Sequence, residues 1–571
     1  MGARQARGRG ARSRREVMRD ALAAAAAGLA APFTGAVAAP SLAPKDAFRL
    51  GVASGDPTPD GVVLWTRLAV DLEDGARWGL SEEAYRLGWE VRDLETPGKP
   101  VVRQGTAIAA ARNGYAVHVE VDGLRPGRAY AYRFTLGDDG AEGITRTAPP
   151  PGYMGTLRFA FCSCAEYENA FHYAYELMAR EEPQFIVHLG DYIYEQTYDQ
   201  YYRRDFPGRP PRAGCETLSG EPRRVRWLKY DRVGKLRELS QYRRRYAEYK
   251  LDPHLQYAHR HCPFIVTWDD HEVDNDYASD FAERREEHDF AERRIRAYRA
   301  YFENLPIRLS TLPVRNRRRR LYRDFDFGGL MRLYMLDERQ YRSDQACTTR
   351  IRGGGRTLPL SACKEIEQPE DAQGRSREML GREQEGWLAR RLDASRAVWN
   401  VLAQGVMLTH IDSRADCQFP AIQAEPHVWT DSWGGYMVAR QRIVDLLARH
   451  RAKNPVVLGG DIHAHFVNRV LQNWKDPQSP AVAPEFVCTA LSSFVRNLEP
   501  LRQAGSGNER AIVDLDCRSN GYVVCDVSKE SFDVAMMRVA PDARVATFAE
   551  AKAEASLKYR VSAGDPEPRK A

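Results

Sequence analysis

The sequence predicts an α/β protein in which a layered core follows a small N-terminal β-sandwich. Three observations carry that expectation. Between about Phe48 and Arg146 apolar residues alternate with polar ones, a period of two. Beyond Pro149-Pro150-Pro151-Gly152, short continuous apolar runs alternate with helical segments. Three of those apolar runs end in clusters of Asp and His. The 571 residues allow a large buried core, and 43% hydrophobic with 28% charged residues is ordinary for a globular protein. Small disulfide-held scaffolds and disordered chains are thereby excluded.

In the first segment Leu87, Trp89 and Val91 alternate with polar neighbours, as do Tyr115, Val117, Val119 and Val121. Leu124-Arg125-Pro126-Gly127 is a turn before Tyr130, Tyr132 and Phe134. Antiparallel strands at this spacing over about 100 residues form a sandwich. Its Leu-x-Pro-Gly-x-x-Tyr-x-Tyr corner is similar to that of a fibronectin type III domain.

After the proline-rich linker, Leu157 to Cys162, Phe185 to Leu189, Phe264 to Trp268, Val398 to Val406 and Pro455 to Leu458 read as buried strands. Phe171 to Glu182, Asp289 to Glu303 and Glu383 to Leu392 read as helices between them. The basic and aromatic block from Arg223 to Lys250 contains Glu238 and Glu248 and is expected to be a solvated helix face, with no nucleic-acid partner. Arg317 to Arg320 is expected to be a surface loop. No internal repeat is expected.

The formal net charge of +6 is concentrated at one end, where residues 1–39 hold seven arginines and only Glu16 and Asp20 as acids. Arg14-Arg15 precedes a weakly apolar, alanine-rich stretch from Ala21 to Pro32, and Ala36-Val37-Ala38 offers a cleavage site. This resembles a twin-arginine signal, with the export machinery as the precursor's partner and a periplasmic or secreted protein as product. The apolar stretch is too short to span a bilayer, and no later run approaches the roughly 18 residues required. The ten cysteines contain no CxxC pair. Cys347 and Cys363 flank a Gly-rich loop and are expected to form a disulfide in an oxidising compartment.

The chemistry lies at three strand ends: Gly190-Asp191-Tyr192-Ile193-Tyr194, Trp268-Asp269-Asp270-His271-Glu272-Val273-Asp274-Asn275, and Gly459-Gly460-Asp461-Ile462-His463-Ala464-His465. The carboxyl ends of strands are where α/β folds build sites. One Gly-Asp pair after a strand is common in turns. Three such ends, two with His, point to a hard metal cluster with an aspartate able to bridge ions, suited to phosphoester hydrolysis.

With Phe159-Ala160-Phe161-Cys162-Ser163-Cys164, His-Leu-Gly-Asp-Tyr-Ile-Tyr-Glu at 188–195, Trp-Asp-Asp-His-Glu-Val-Asp-Asn-Asp-Tyr at 268–277, Leu-Asp-Glu-Arg-Gln-Tyr-Arg-Ser-Asp-Gln at 336–345 and Gly-Gly-Asp-Ile-His at 459–463, the chain resembles the PhoD-like alkaline phosphatase and phosphodiesterase family. Phe48 to Pro57 is similar to the start of that family's N-terminal β domain. The resemblance implies two packed sheets flanked by helices, a fold related to purple acid phosphatases. It divides the chain into a signal at 1–39, a β-sandwich at 40–150 and a metallophosphatase domain at 151–571.

It also implies a ferric ion (Fe3+) with calcium ions (Ca2+) nearby. Cys164 is then the thiolate ligand, Tyr194 the phenolate, Asp191 a bridge between metals, and Asp461 and His463 further ligands. In the middle motif Asp270 or Asn275, or both, bind metal. His271 lies near the substrate or orients a neighbour. The family usually has a small residue where His465 stands, so His465 is an extra ligand, a proton donor or a surface residue. Cys162 is a core thiol if Cys164 lies just past the strand end. The expected reaction is attack on a phosphomonoester or phosphodiester by metal-held hydroxide or oxide, with His271 or His465 protonating the leaving alcohol. A phospholipase-like phosphodiesterase and an exported binding protein stay open as alternatives.

Overall fold

The computed structural model describes residues 44–571 apart from 75–76, 200–223, 231–233, 286, 316–317, 350–352, 372, 418, 420, 477 and 541–546. The export segment expected at 1–39 lies outside the described residues.

Two large sheets form the centre. In one, Leu157–Cys162, Ile186–His188 and Phe264–Val266 lie parallel, flanked on one side by Gly521–Val527, Ser531–Ala540 and Lys552–Ser562. In the other, Met331–Met335, Trp399–Ala403, Pro455–Gly459 and Ala481–Val487 lie parallel. Side-chain alternation decides which layer each residue enters. Phe159, Phe161, Val187 and Ile265 meet Leu333, Val401, Val456 and Phe486 between the sheets. Ala160 and Cys162 turn the other way, into the layer under Tyr173–Arg180, Leu239–Lys250, Pro253–His261 and Phe290–Asn304. Gly381–Ala394 and Met437–Arg449 cover the second sheet through Trp387, Leu388, Ile443 and Leu447. The result is two packed sheets flanked by helices.

The N-terminal strands form a second pair of sheets. Val101–Ala110, Ala84–Asp93, Ala129–Leu136 and Asp139–Arg146 make one. Val52–Thr58, Gly61–Arg67 and Ala116–Asp122 make the other, which continues the first core sheet because Gly55 pairs in parallel with Phe264. A Cβ at position 55 would fall 2.3 Å from Pro306 O and 2.5 Å from Phe264 O, so only glycine lets this junction close. At the Leu124-Arg125-Pro126-Gly127 corner the Tyr130 hydroxyl receives Arg125 N at 2.8 Å and donates to Arg125 O at 3.1 Å. The corner thus ties the tyrosine back to its own upstream backbone, as in immunoglobulin-like domains.

The block ending at Lys250 departs from expectation. Helix Leu239–Lys250 is not a solvated face: Tyr242, Arg245, Tyr246, Tyr249 and Lys250 are buried. Arg245 donates to the carbonyls of Tyr194 and Gln196. Lys250 Nζ donates to Tyr192 Oη at 3.1 Å and lies 4.3 Å over the Trp65 ring. The expectation failed because basic side chains are admitted to an interior when carbonyls, hydroxyls and aromatic faces replace water. Arg318–Arg319 pairs with Val314–Arg315 as a short hairpin. Cys347 and Cys363 form a disulfide, while Cys162, Cys164, Cys262, Cys488, Cys517 and Cys525 are buried free thiols.

Candidate metal centre

Both parallel sheets end on the same side. Gly460 N donates to Gly405 O, Leu491 N to Ser163 O and Thr267 Oγ1 to Leu336 O, stitching the strand ends together. The first strand stops at Cys162, which places Cys164 beyond it and leaves Cys162 in the helix-side core. Cys164, Asp191, Asp461 and His463 all adopt left-handed backbone, with φ of 60°, 54°, 67° and 59°. Such conformations are uncommon for non-glycine residues and concentrate at functional sites. Gly190 makes the turn possible, since at φ 115° a Cβ there would lie 2.4 Å from Asp269 N.

These turns bring the expected ligands together. Cys164, Asp191 and His463 hold their donor atoms within 4.8 Å of one another, as do Asp191, Asp270 and His271, and Asp269, Asp270 and Asp461. Tyr194 Oη lies 3.2 Å from Asp191 Oδ2 and 3.3 Å from His463 Nε2. His463 Nδ1 meets Phe494 O at 2.7 Å, a contact an imidazole nitrogen makes only as N–H, so the lone pair is on Nε2 beside Tyr194 and Asp191. Asn275 is half-buried beside the cluster, its backbone amide donating to Glu195 Oε1 at 3.0 Å.

His465 is not brought in. It is 1% exposed, its Nε2 donates to Met537 O at 3.2 Å, and its Nδ1 accepts from Thr489 N at 3.1 Å. With both ring nitrogens on backbone partners in strand His465–Leu471, it is neither a surface residue nor placed as a ligand or proton donor, which corrects its inclusion among the catalytic residues.

Several residues of the site had no role in the sequence-based reading. Glu195 Oε2 takes His271 Nδ1 at 2.7 Å, and the His271 ring stacks on Tyr194 at 4.0 Å between centroids. Glu272 accepts the amides of Asp191, Tyr192 and Asp269. Arg339 pairs with Asp269, with Asp431 at 2.8 Å and with Asp270 at 3.5 Å, and Arg342 also binds Asp431 at 2.8 Å. Glu195 and Arg339 stand inside recognised motifs, so their signal was present but unassigned. Asp431 stands in none.

The electrostatics show how strongly these groups act on one another. Burial, then the charges of Asp269 and Asp270, push the Asp461 carboxyl well above its ordinary value. Burial does the same to Asp191, where His271 opposes it and Asp270 adds to it. Burial and Asp191 together raise the Cys164 thiol. Burial also favours neutral Asp270, but Arg339 and His271 outweigh it and lower that carboxyl. Burial opposes charge on His271, while Asp270, Asp191 and Glu195 hold it well above the usual imidazole range. Asp270 Oδ1 is buried and accepts no hydrogen bond among the described residues. Crowded carboxylates beside a thiol, a phenol and a lone-pair imidazole fit a cluster of cations, whose charge would favour the ionised forms of Asp191, Asp461 and Cys164.

Comparison with known proteins agrees with this geometry. Residues 159–536 match the family model described as PhoD-like phosphatase, and residues 35–149 match that of its N-terminal domain. The chain is 36% identical over 520 residues to alkaline phosphatase D of Bacillus subtilis (strain 168), covering 88% of this chain and 80% of that protein. It superposes on a solved structure of PhoD with a TM-score of 0.79 at 34% identity, covering 93% of each chain. A purple acid phosphatase from yellow lupin (Lupinus luteus) seeds shares the fold, with a TM-score of 0.50 at 12% identity over 88% of this chain and 73% of that one. The family matches span the strands whose ends carry the candidate cluster, and the chain belongs to the PhoD-like phosphatase family of phosphoric ester hydrolases.

Proposed function

We propose that the protein is an exported, metal-dependent alkaline phosphatase or phosphodiesterase releasing phosphate from organic phosphoesters at the cluster around Asp191. The observation that carries this reading is the chain of overlapping groups that links Cys164, Tyr194 and His463 through Asp191 to Asp270, and through Asp270 to Asp461. Thiolate and phenolate donors would suit a ferric ion held by Cys164, Tyr194 and His463, and the carboxylates of Asp270 and Asp461, with the Asn275 amide in the same loop as Asp270, would suit calcium. Asp191, which groups with Cys164 and His463 on one side and with Asp270 and His271 on the other, would be the bridging ligand. When bound, the cations supply Lewis acidity, lowering the pKa of water and neutralising charge on the phosphoryl oxygens.

The chain's own residues do the rest. Glu195 fixes the tautomer and tilt of His271, which orients the phosphate and protonates the leaving alcohol. Arg339 holds Asp269 and Asp431 and offsets the charge of Asp270 without displacing it from the cluster. Export by the twin-arginine machinery is supported by Arg14-Arg15 ahead of the Ala21 to Pro32 stretch. Among the described residues no helix is long and apolar enough to cross a membrane.

Purified protein should hydrolyse a chromogenic phosphate mono- or diester, lose the activity to chelator, and lose it in Asp191→Ala. Full turnover in the metal-stripped protein or in that variant would refute the reading.

A further inference from the structure

Ser163 has no part in the chemistry above, yet it is 1% exposed and lies between two sulfurs. Its Oγ is 3.2 Å from Cys164 Sγ, which donates to it, and 3.2 Å from Cys488 Sγ. The space around it is reserved: a Cβ on Gly460 would fall 2.6 Å from Ser163 Oγ and 2.9 Å from its Cβ. Backbone bonds fix Cys164 against this hydroxyl, Cys164 N donating to Gly190 O and Cys164 O accepting from Ser492 N and Ser493 N. Burial pushes the Cys488 thiol up to about 12, so it keeps its proton.

A thiolate can only accept hydrogen bonds. Once Cys164 holds a cation, Ser163 has one O–H for two sulfurs, and a bond to the charged one is roughly twice as strong as a neutral bond. The hydroxyl then turns to Cys164, and the Cys488 S–H donates to the oxygen it leaves open. We infer that Ser163, backed by Cys488, is a positioning residue that hydrogen-bonds the Cys164 sulfur and sets how strongly that sulfur donates to the metal. Hydrogen bonds to a ligand sulfur withdraw electron density from it and tune the metal it binds. The inference rests on the proposed reading of Cys164 as a thiolate ligand.

The test is the visible spectrum of the metal-loaded enzyme. Ser163→Ala should move the sulfur-to-metal charge-transfer band to longer wavelength and leave the Tyr194 phenolate band in place. Cys488→Ala, farther from the ligand, should give a smaller shift in the same direction. Cys488→Ser, a stronger donor to Ser163, should restore the band or move it to shorter wavelength. An unmoved sulfur band in both Ser163→Ala and Cys488→Ala would overturn the inference. If the wild type shows no band that disappears in Cys164→Ser, the ligation reading itself fails and takes the inference with it, so the two failures are told apart.

Discussion

Glu195 accepts from His271 at one oxygen and from the Asn275 amide at the other, so its charge and its geometry both act on the site. Glu195→Gln keeps the size and removes the charge that helps hold His271 protonated, and kcat should fall about 10- to 100-fold with little change in KM. The loss should be larger for substrates with poorly leaving alcohols than for nitrophenyl esters, since proton donation matters most there. Equal losses across leaving groups would contradict a role through His271. His465→Gln should instead lower stability by about 1–3 kcal/mol in urea unfolding while folded enzyme keeps its kcat. At this scale the sequence exposed the candidate ligands because phenol, carboxylate and imidazole stand at three local strand ends and the thiol just past a fourth. It hid most of the supporting contacts because they join distant positions: Glu195 meets His271 across 76 residues and Arg339 meets Asp431 across 92. His465 was misjudged for a related reason, since only tertiary structure shows that Met537 and Thr489 occupy its ring.

Among the elements, the strand-to-loop turns do the work that the strands only prepare. Gly190 packs against Asp269 at φ 115°, and Gly190→Ala forces both strain and a backbone clash at that turn. The variant should lose at least about 2 kcal/mol of stability, and metal content per folded chain should fall with it, because Asp191 follows directly. Undiminished metal content in a stable Gly190→Ala protein would show that the turn does not place the ligand. Strand and helix positions were legible: Leu157–Cys162 stands as expected, and Phe290–Asn304 differs from the anticipated helix by one residue at each end. Hydrophobic period decides such elements almost alone. The junction at Gly55 was not legible, because a sandwich sheet that continues into the core sheet leaves no local mark beyond one glycine.

Across the whole molecule, two sets of buried groups bend stability with pH in opposite directions. Burial holds His172, His188 and His410 at about 3 in the folded state, against about 6.5 unfolded. Their contribution is complete above pH 6.5 and is lost as pH falls toward 3, by up to about 1.4 kcal/mol per pH unit for each histidine. Three buried carboxyls work the other way: Asp269 in the cluster, Glu272, which caps the amides of Asp191, Tyr192 and Asp269, and Glu338, which accepts Gly405 N and feels the charge of Asp269. Burial, opposed by Arg339 and aided by Asp270, raises Asp269 to about 6, burial raises Glu272 to about 7, and burial with Asp269 raises Glu338 to about 8. A raised carboxyl stabilises fully below its unfolded value near 4 and loses that contribution as pH climbs through its folded value. In metal-free protein these groups should erode stability between about pH 4 and 8, and bound cations, which favour their ionised forms, should cancel the erosion. The gap in Tm between metal-loaded and chelated protein is therefore expected to widen steadily from pH 5.5 to 8.5, while the fall below pH 6.5 persists in both. Calorimetry across that range checks it: a gap that stays constant or narrows toward alkaline pH would mean that bound cations do not offset the charge of Asp269, Glu272 and Glu338.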